Sequence, residues 1–110
     1  MPSFSENKLI LDAGNQVSFK HDIDKVVSFD NVVVVLLKMP SGVIFNENVF
    51  GVSLNGQIRW QIQKLLPDTE DSPHINIKRS ANGLDAYNWS GLKIRVNLKT
   101  GKIVDKRITK

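Results

Sequence analysis

Cysteine is absent from this 110-residue sequence. That excludes a disulfide scaffold, a thiolate metal site and a cysteine nucleophile, and it fits a reducing compartment. Long apolar runs are absent as well. The longest is Val32 to Leu37, with Met39 just beyond Lys38, far short of the roughly 20 residues that cross a bilayer as a helix. The segment Met1 to Lys8 lacks a basic region followed by an apolar run, so it does not read as a signal peptide. The expectation is a cytoplasmic chain that makes no membrane contact. Catalytic equipment is equally scarce. The seven glycines stand singly, mostly at turn positions, and form no phosphate-binding loop. No serine lies in a nucleophile elbow. The two histidines, His21 and His74, are far apart, and neither has a metal-ligand spacing. His21-Asp22-Ile23-Asp24 holds an imidazole and two carboxylates, but on a strand Asp22 and Asp24 share a face and His21 points away. The chain is therefore read as non-enzymatic, with no catalytic residues, metal or cofactor.

What is present is charge, unevenly placed. Residues 1–73 hold six Lys or Arg and nine Asp or Glu, whereas residues 74–110 hold nine basic groups and only Asp85 and Asp105 as acids. The formal net charge of +4 thus belongs to the last third of the chain. Such a patch attracts acidic partners, and the same residues also suit solvated strand faces and blunted edges.

No window keeps a helical repeat of apolar residues for more than a turn or two, whereas β-branched residues and two-residue alternation are frequent. Leu9-Ile10-Leu11 begins a short strand, and Asn15 to Ile23 alternates Val17 and Phe19 against Ser18 and Lys20. Val32 to Leu37 is continuously apolar, the mark of a central strand buried on both faces. Phe50, Val52 and Leu54 share a face, Asn55-Gly56 signals a hairpin, and Ile58, Trp60 and Ile62 alternate on the return strand. Pro67 to Pro73 is an acidic connecting loop. Beyond it, His74 to Arg79 carries Ile75 and Ile77, Asn82-Gly83 turns, Leu84 to Trp89 forms a strand, and Ser90-Gly91 turns again. Ile94, Val96 and Leu98 then alternate with Lys93, Arg95 and Asn97, and Thr100-Gly101 leads into the last strand.

The two parts superpose. Phe50, Val52, Leu54, Gly56 and Ile58 correspond to Ile94, Val96, Leu98, Gly101 and Ile103, and the strand after Asp30-Asn31 corresponds to the strand after Asn82-Gly83. Meanders of about 45 residues are the spacing of propeller blades. The segments Asn48 to Trp60 and Leu84 to Ile103 resemble blades of pyrroloquinoline-quinone-type propellers, with Asn97 where an Asp is usual and Asp105 where the Trp would fall. Two blades cannot close a ring, so nothing of the quinone site carries over. The expected fold is all-β, with about eight to ten antiparallel strands and little or no helix. Two four-stranded blade-like meanders pack as a sandwich or one strongly bent sheet around a single core. N-terminal strands occupy 1–29, the first meander 30–66, the loop 67–73 and the second meander 74–110.

A wider resemblance rests on Asn48-Val-Phe50, Asn55-Gly-Gln-Ile-Arg-Trp-Gln-Ile62, Ala86-Tyr-Asn-Trp-Ser-Gly91 and Lys99-Thr-Gly-Lys-Ile103. These resemble small bacterial proteins, some of them similar to immunity proteins of toxin–immunity systems. The resemblance implies a protein that binds a cognate toxin and occludes its active site. Candidate contacts are Asp85, Tyr87 and Trp89, which share a strand face, and Asp68, Glu70 and Asp71 of the acidic loop. Whether Tyr87 and Trp89 face outward or inward is open at this level, because either facing leaves one side of the strand anomalous. The alternative is a nucleic-acid module using Lys93, Arg95, Lys99, Lys102, Lys106 and Arg107, with Lys110 beyond. A third reading is an assembly module that exists as a monomer or weak homodimer.

Overall fold

The computed structural model describes residues 2–81 and 83–109. Among them there is no helix, and therefore none long and apolar enough to cross a membrane. Eleven strands form three antiparallel sheets. β1 (Ser3–Ser5), β2 (Lys8–Ile10) and β3 (Gln16–Ser18) make a small sheet. β4 (Ile23–Ser28), β5 (Val32–Leu37), β6 (Val49–Ser53) and β7 (Ile58–Gln61) make the first meander. β8 (His74–Ser80), β9 (Gly83–Asn88), β10 (Leu92–Val96) and β11 (Ile103–Ile108) make the second. The all-β expectation of two four-stranded meanders holds. The first begins at Ile23 rather than at 30, because Ile23–Ser28 pairs with β5 and not with the N-terminal strands. The turn expected at Asn82-Gly83 falls partly on Asn82, outside the described residues.

The continuous apolar run explains why β5 is central: all six of its residues are buried. Val33, Val35 and Leu37 face the small N-terminal sheet, where Leu9, Leu11, Val17 and Phe19 cover them. Val34 and Leu36 face the second meander, meeting Ile77, Leu84, Ala86, Ile94 and Val96. There are consequently two apolar layers, not the one expected, and the first meander lies between them.

The stacking direction follows from residue equivalence. Val33 and Val35 correspond to Leu84 and Ala86, and Phe50 and Val52 to Ile94 and Val96. In both repeats these residues form the back face, turned toward the preceding sheet. The meanders are thus stacked head to tail, front of the first on back of the second. A sandwich in which equivalent faces met would have exposed one apolar back face.

The repeats also share their irregularities. In the first, the pairing of β4 with β5 skips Asp24, and that of β6 with β7 skips Arg59. In the second, Ile75 and Val104 are skipped at the equivalent places. Each β-bulge inserts a residue and breaks the two-residue alternation. That corrects two sequence expectations: Ile58 is 49% exposed while Trp60 is buried, and Ile75 is 51% exposed while Ile77 is buried.

Trp60 is the joint between the repeats. It lies opposite Gly51, where an added Cβ would come within 2.2 Å of the indole. Its ring also reaches Gly101 of the β10–β11 turn, where a Cβ would come within 2.6 Å. Gly101 has φ +75°, a backbone region that favours glycine. The indole Nε1 donates to the Leu98 carbonyl at 2.7 Å. Beside it, Gln63 N donates to Gly101 O and Gln63 Oε1 accepts from Ile103 N.

Candidate functional site: the uncovered face of the second meander

The front face of the first meander is apolar and covered. Its residues Val27, Val34, Leu36, Gly51, Trp60 and Ile62 are replaced in the second by Lys78, Asp85, Tyr87, Arg95, Asp105 and Arg107. The antiparallel register sets these in rows. Lys78 lies opposite Asp85, Asp85 opposite Arg95, and Arg95 opposite Asp105, so charge alternates across all four strands. The neighbouring row runs Asn76, Tyr87, Lys93 and Arg107.

Leu84 and Ala86 point into the core, which settles the orientation left open by the sequence: Asp85 and Tyr87 face outward. Asp85 is nevertheless buried, under Lys93 at 3.7 Å and Arg95 at 3.9 Å. Lys78 lies over the Tyr87 ring, 5.4 Å from its centroid, a cation–π contact. Arg107 pairs with Asp105 at 3.2 Å. Asp85 Oδ1 and Arg95 Nε are both buried and neither has a hydrogen-bond partner among the described residues. Asp85 and Arg95 line a small depression together with Lys93, Asp105 and Arg107.

Trp89 begins the β9–β10 turn at the margin of this face and is 69% exposed. Its N–H donates to the Pro73 carbonyl at 3.0 Å. The structure thereby brings the end of the acidic loop to the aromatic turn. Asp68 is engaged by Lys64 at 2.6 Å, whereas Glu70 and Asp71 are exposed. The basic set is dispersed. Lys93, Arg95 and Arg107 lie beside acids on the front face, Lys99 sits in the β10–β11 turn, and Lys102 and Lys106 are exposed on other parts of the sheet edge.

A buried polar network, not found from the sequence, holds the acidic loop. Asn46 Nδ2 donates to the Glu70 carbonyl and Asn46 Oδ1 accepts from Ser72 N. Asn48 Nδ2 donates to the carbonyls of Leu37 and His74, while its Oδ1 accepts from His74 N. Ser72 Oγ donates to Asn88 Oδ1, and Asn88 Nδ2 donates to Ser72 O. Burial lowers the His74 imidazole to about 4, so the ring is neutral at pH 7. The network's signature in the sequence is faint: two asparagines two positions apart, just ahead of a strand.

A second concavity lies where the repeats join, lined by Phe29, Asp30, Arg59, Arg79, Leu98 and Lys99, among others. Of these only Lys99 stood out in the sequence, since the two arginines are separated by the whole loop and first meet in the fold. Among the described residues, no three His, Asp or Glu side chains converge in a group able to hold a metal ion.

Fold and surface together define a tandem β-meander stack, closed at one end by a small sheet and presenting a charged face at the other. The chain belongs to the family described as Domain of unknown function (DUF7957), whose model matches residues 1–108. No curated protein and no solved structure matches it.

Proposed function

We propose that this chain is a non-enzymatic protein-binding module whose partner docks on the front face of the second meander. The particular form proposed is a cytoplasmic neutralising protein that covers the active site of a cognate bacterial toxin. The observation that carries the reading is the buried pair of Asp85 Oδ1 and Arg95 Nε, 3.9 Å apart and neither hydrogen-bonded among the described residues. Buried polar groups left without a hydrogen bond cost about 1–3 kcal/mol each. A partner side chain that displaces the covering Lys93 and offers a donor and an acceptor would satisfy both. Around this point Tyr87 and Trp89 supply aromatic area, the residue types on which binding energy concentrates. The acidic loop beside Trp89 would lie against a cationic surface, such as the active site of a nucleic-acid-degrading toxin, and would speed encounter.

The test is co-expression with the product of each neighbouring gene, followed by growth and complex measurements. The reading expects one such product to be toxic alone, harmless with this chain, and bound in a stable complex. Tyr87→Ala and Trp89→Ala should each weaken that complex by about tenfold or more. No complex with any neighbouring product, together with unaffected growth when the gene is deleted, would overturn it.

A further inference from the structure

From the concavity at the joint between the repeats we infer a binding site for a phosphate monoester carried on an apolar or planar body, a ligand of nucleotide size. The cavity has a volume of about 590 Å³, within the 300–1,000 Å³ usual for small-molecule sites. Its wall has two characters. Phe29, Val32 and Leu98 are apolar, and Arg59, Arg79 and Lys99 are cationic, with Asp30 the one acid. Two net positive charges match a phosphate monoester, which carries about −1.5 to −2 at pH 7.

The cations are placed for it. Arg59 is the extra residue of the β6–β7 bulge, a device that redirects a side chain out of the strand alternation. The Arg79 guanidinium stacks on Phe29, 4.4 Å from the ring centroid, and donates one N–H to the Ser28 carbonyl. Arginine has five N–H donors in a planar fork, so the others remain for a ligand. Lys99 is carried on a turn closed by Asn97, whose Oδ1 accepts from Lys99 N at 2.8 Å. Trp60 anchors that turn through Leu98 O, which ties the turn carrying Lys99 to β7, the strand carrying Arg59. Among the described residues none of the three cations has an ion-pair partner. That separates them from Lys93, Arg95 and Arg107, which lie within 4 Å of Asp85 or Asp105.

The same features disfavour a nucleic-acid strand. The charges converge on one concavity instead of tracking a backbone, and the ring face of Phe29 beneath Arg79 is taken, leaving no free aromatic platform there for successive bases. Arg forks also recognise carboxylates, so the charge count, not the fork, selects the phosphate.

The test is NMR titration of the ¹⁵N-labelled full chain with three probes: a nucleoside 5′-monophosphate, the corresponding nucleoside, and inorganic phosphate. The monophosphate should shift the Arg59 and Arg79 side-chain resonances and the amides of residues 29–32 and 98–99 saturably. The nucleoside and inorganic phosphate should each bind at least about tenfold more weakly, since each lacks half of the recognised groups. Arg59→Gln and Lys99→Gln, both at exposed positions, should each weaken binding roughly tenfold with the melting temperature unchanged. Lys106→Gln, away from the cavity, should not. The inference is overturned if the monophosphate gives no saturable shift up to about 10 mM. It is equally overturned if its shifts spread over Lys102 and Lys106, or if a glutamate-rich peptide binds the cavity more tightly than the monophosphate.

Discussion

Asp105 stands in the second meander where Trp60 stands in the first, and each lies opposite the equivalent cross-strand residue: Gly51 for Trp60, Arg95 for Asp105. One backbone arrangement thus serves two ends. In the first repeat a large ring over a glycine seals the contact with the next sheet. In the second, a pair of opposite charges ends the stack at a polar surface. Terminal units of stacked repeats need such a polar outer face to stay soluble.

Exchanging that face should therefore change the association state. A variant carrying Lys78→Val, Asp85→Val, Arg95→Gly, Asp105→Trp and Arg107→Ile restores the first repeat's residues at five front-face positions, including the glycine that the ring at 105 needs opposite it. It is expected to fold and to self-associate, because a contiguous apolar patch of this kind does not stay exposed on a monomer. Sedimentation across a concentration series reads the result; a strictly monomeric variant would show that the second meander's front face does not reproduce the geometry of the first.

The Trp60 joint makes a sharper energetic prediction. Gly51→Ala places a methyl group where the indole lies and should cost about 2 kcal/mol, or roughly 10 °C in Tm for a domain of this size. Trp60→Leu should cost about 3 kcal/mol through lost area and the lost bond to Leu98 O. The two should couple: in the Trp60→Leu background, Gly51→Ala should be nearly free. Urea denaturation of both single variants and the double variant closes the cycle.

His74 gives a pH dependence whose sign is fixed. Its folded-state value, about 4, lies below the unfolded value of about 6.5. Above pH 6.5 neither state binds the proton and the contribution to stability is complete. Between 6.5 and 4 the unfolded chain takes up a proton that the folded chain refuses, so stability falls as pH falls, and the loss levels off below 4. The full span is on the order of 3 kcal/mol. Most carboxylates titrate lower, so a slope between about pH 6.5 and 5 belongs to the imidazole. Denaturation midpoints should fall through that window in the native chain and much less in His74→Gln.

Asn48 makes three hydrogen bonds, and truncating it leaves the carbonyls of Leu37 and His74 and the His74 N–H without this partner. Asn48→Ala should destabilise by about 3 kcal/mol. Asn48→Asp, nearly the same shape, should be no better, since a carboxylate cannot donate to two carbonyls. Calorimetric melting compares the two; tolerance of Asn48→Asp would contradict the assignment of its amide.

The repeat and the central strand were legible because both rest on period: six apolar residues at Val32–Leu37, and Ile94, Val96 and Ile103 echoing Phe50, Val52 and Ile58. The facing of Ile58 and Ile75 was not, because a β-bulge shifts register without altering the residue pattern on which alternation is read. The start of the first meander was missed for a related reason. Asp24 and Lys25 interrupt the apolar signal at the bulge, so Ile23–Ser28 looks like an appendage. At the candidate sites the sequence identified the outward row of Asp85 and Tyr87 as a possibility, together with Trp89. It could not show that Lys93 and Arg95 fold down over Asp85, nor that Arg59, Arg79 and Lys99 meet, since both depend on contacts made across strands and between repeats.

The acidic loop is held by Asn46 through the main-chain atoms of Glu70 and Ser72, while the side chains at 69–71 lie outside. A loop fastened by its backbone leaves those exposed side chains free of structural duty. The three positions could accept almost any chemistry that keeps the same path. Related chains could then acquire different partners by rewriting the loop alone, and a library randomised at 69–71 on this scaffold would sample recognition without sampling misfolding.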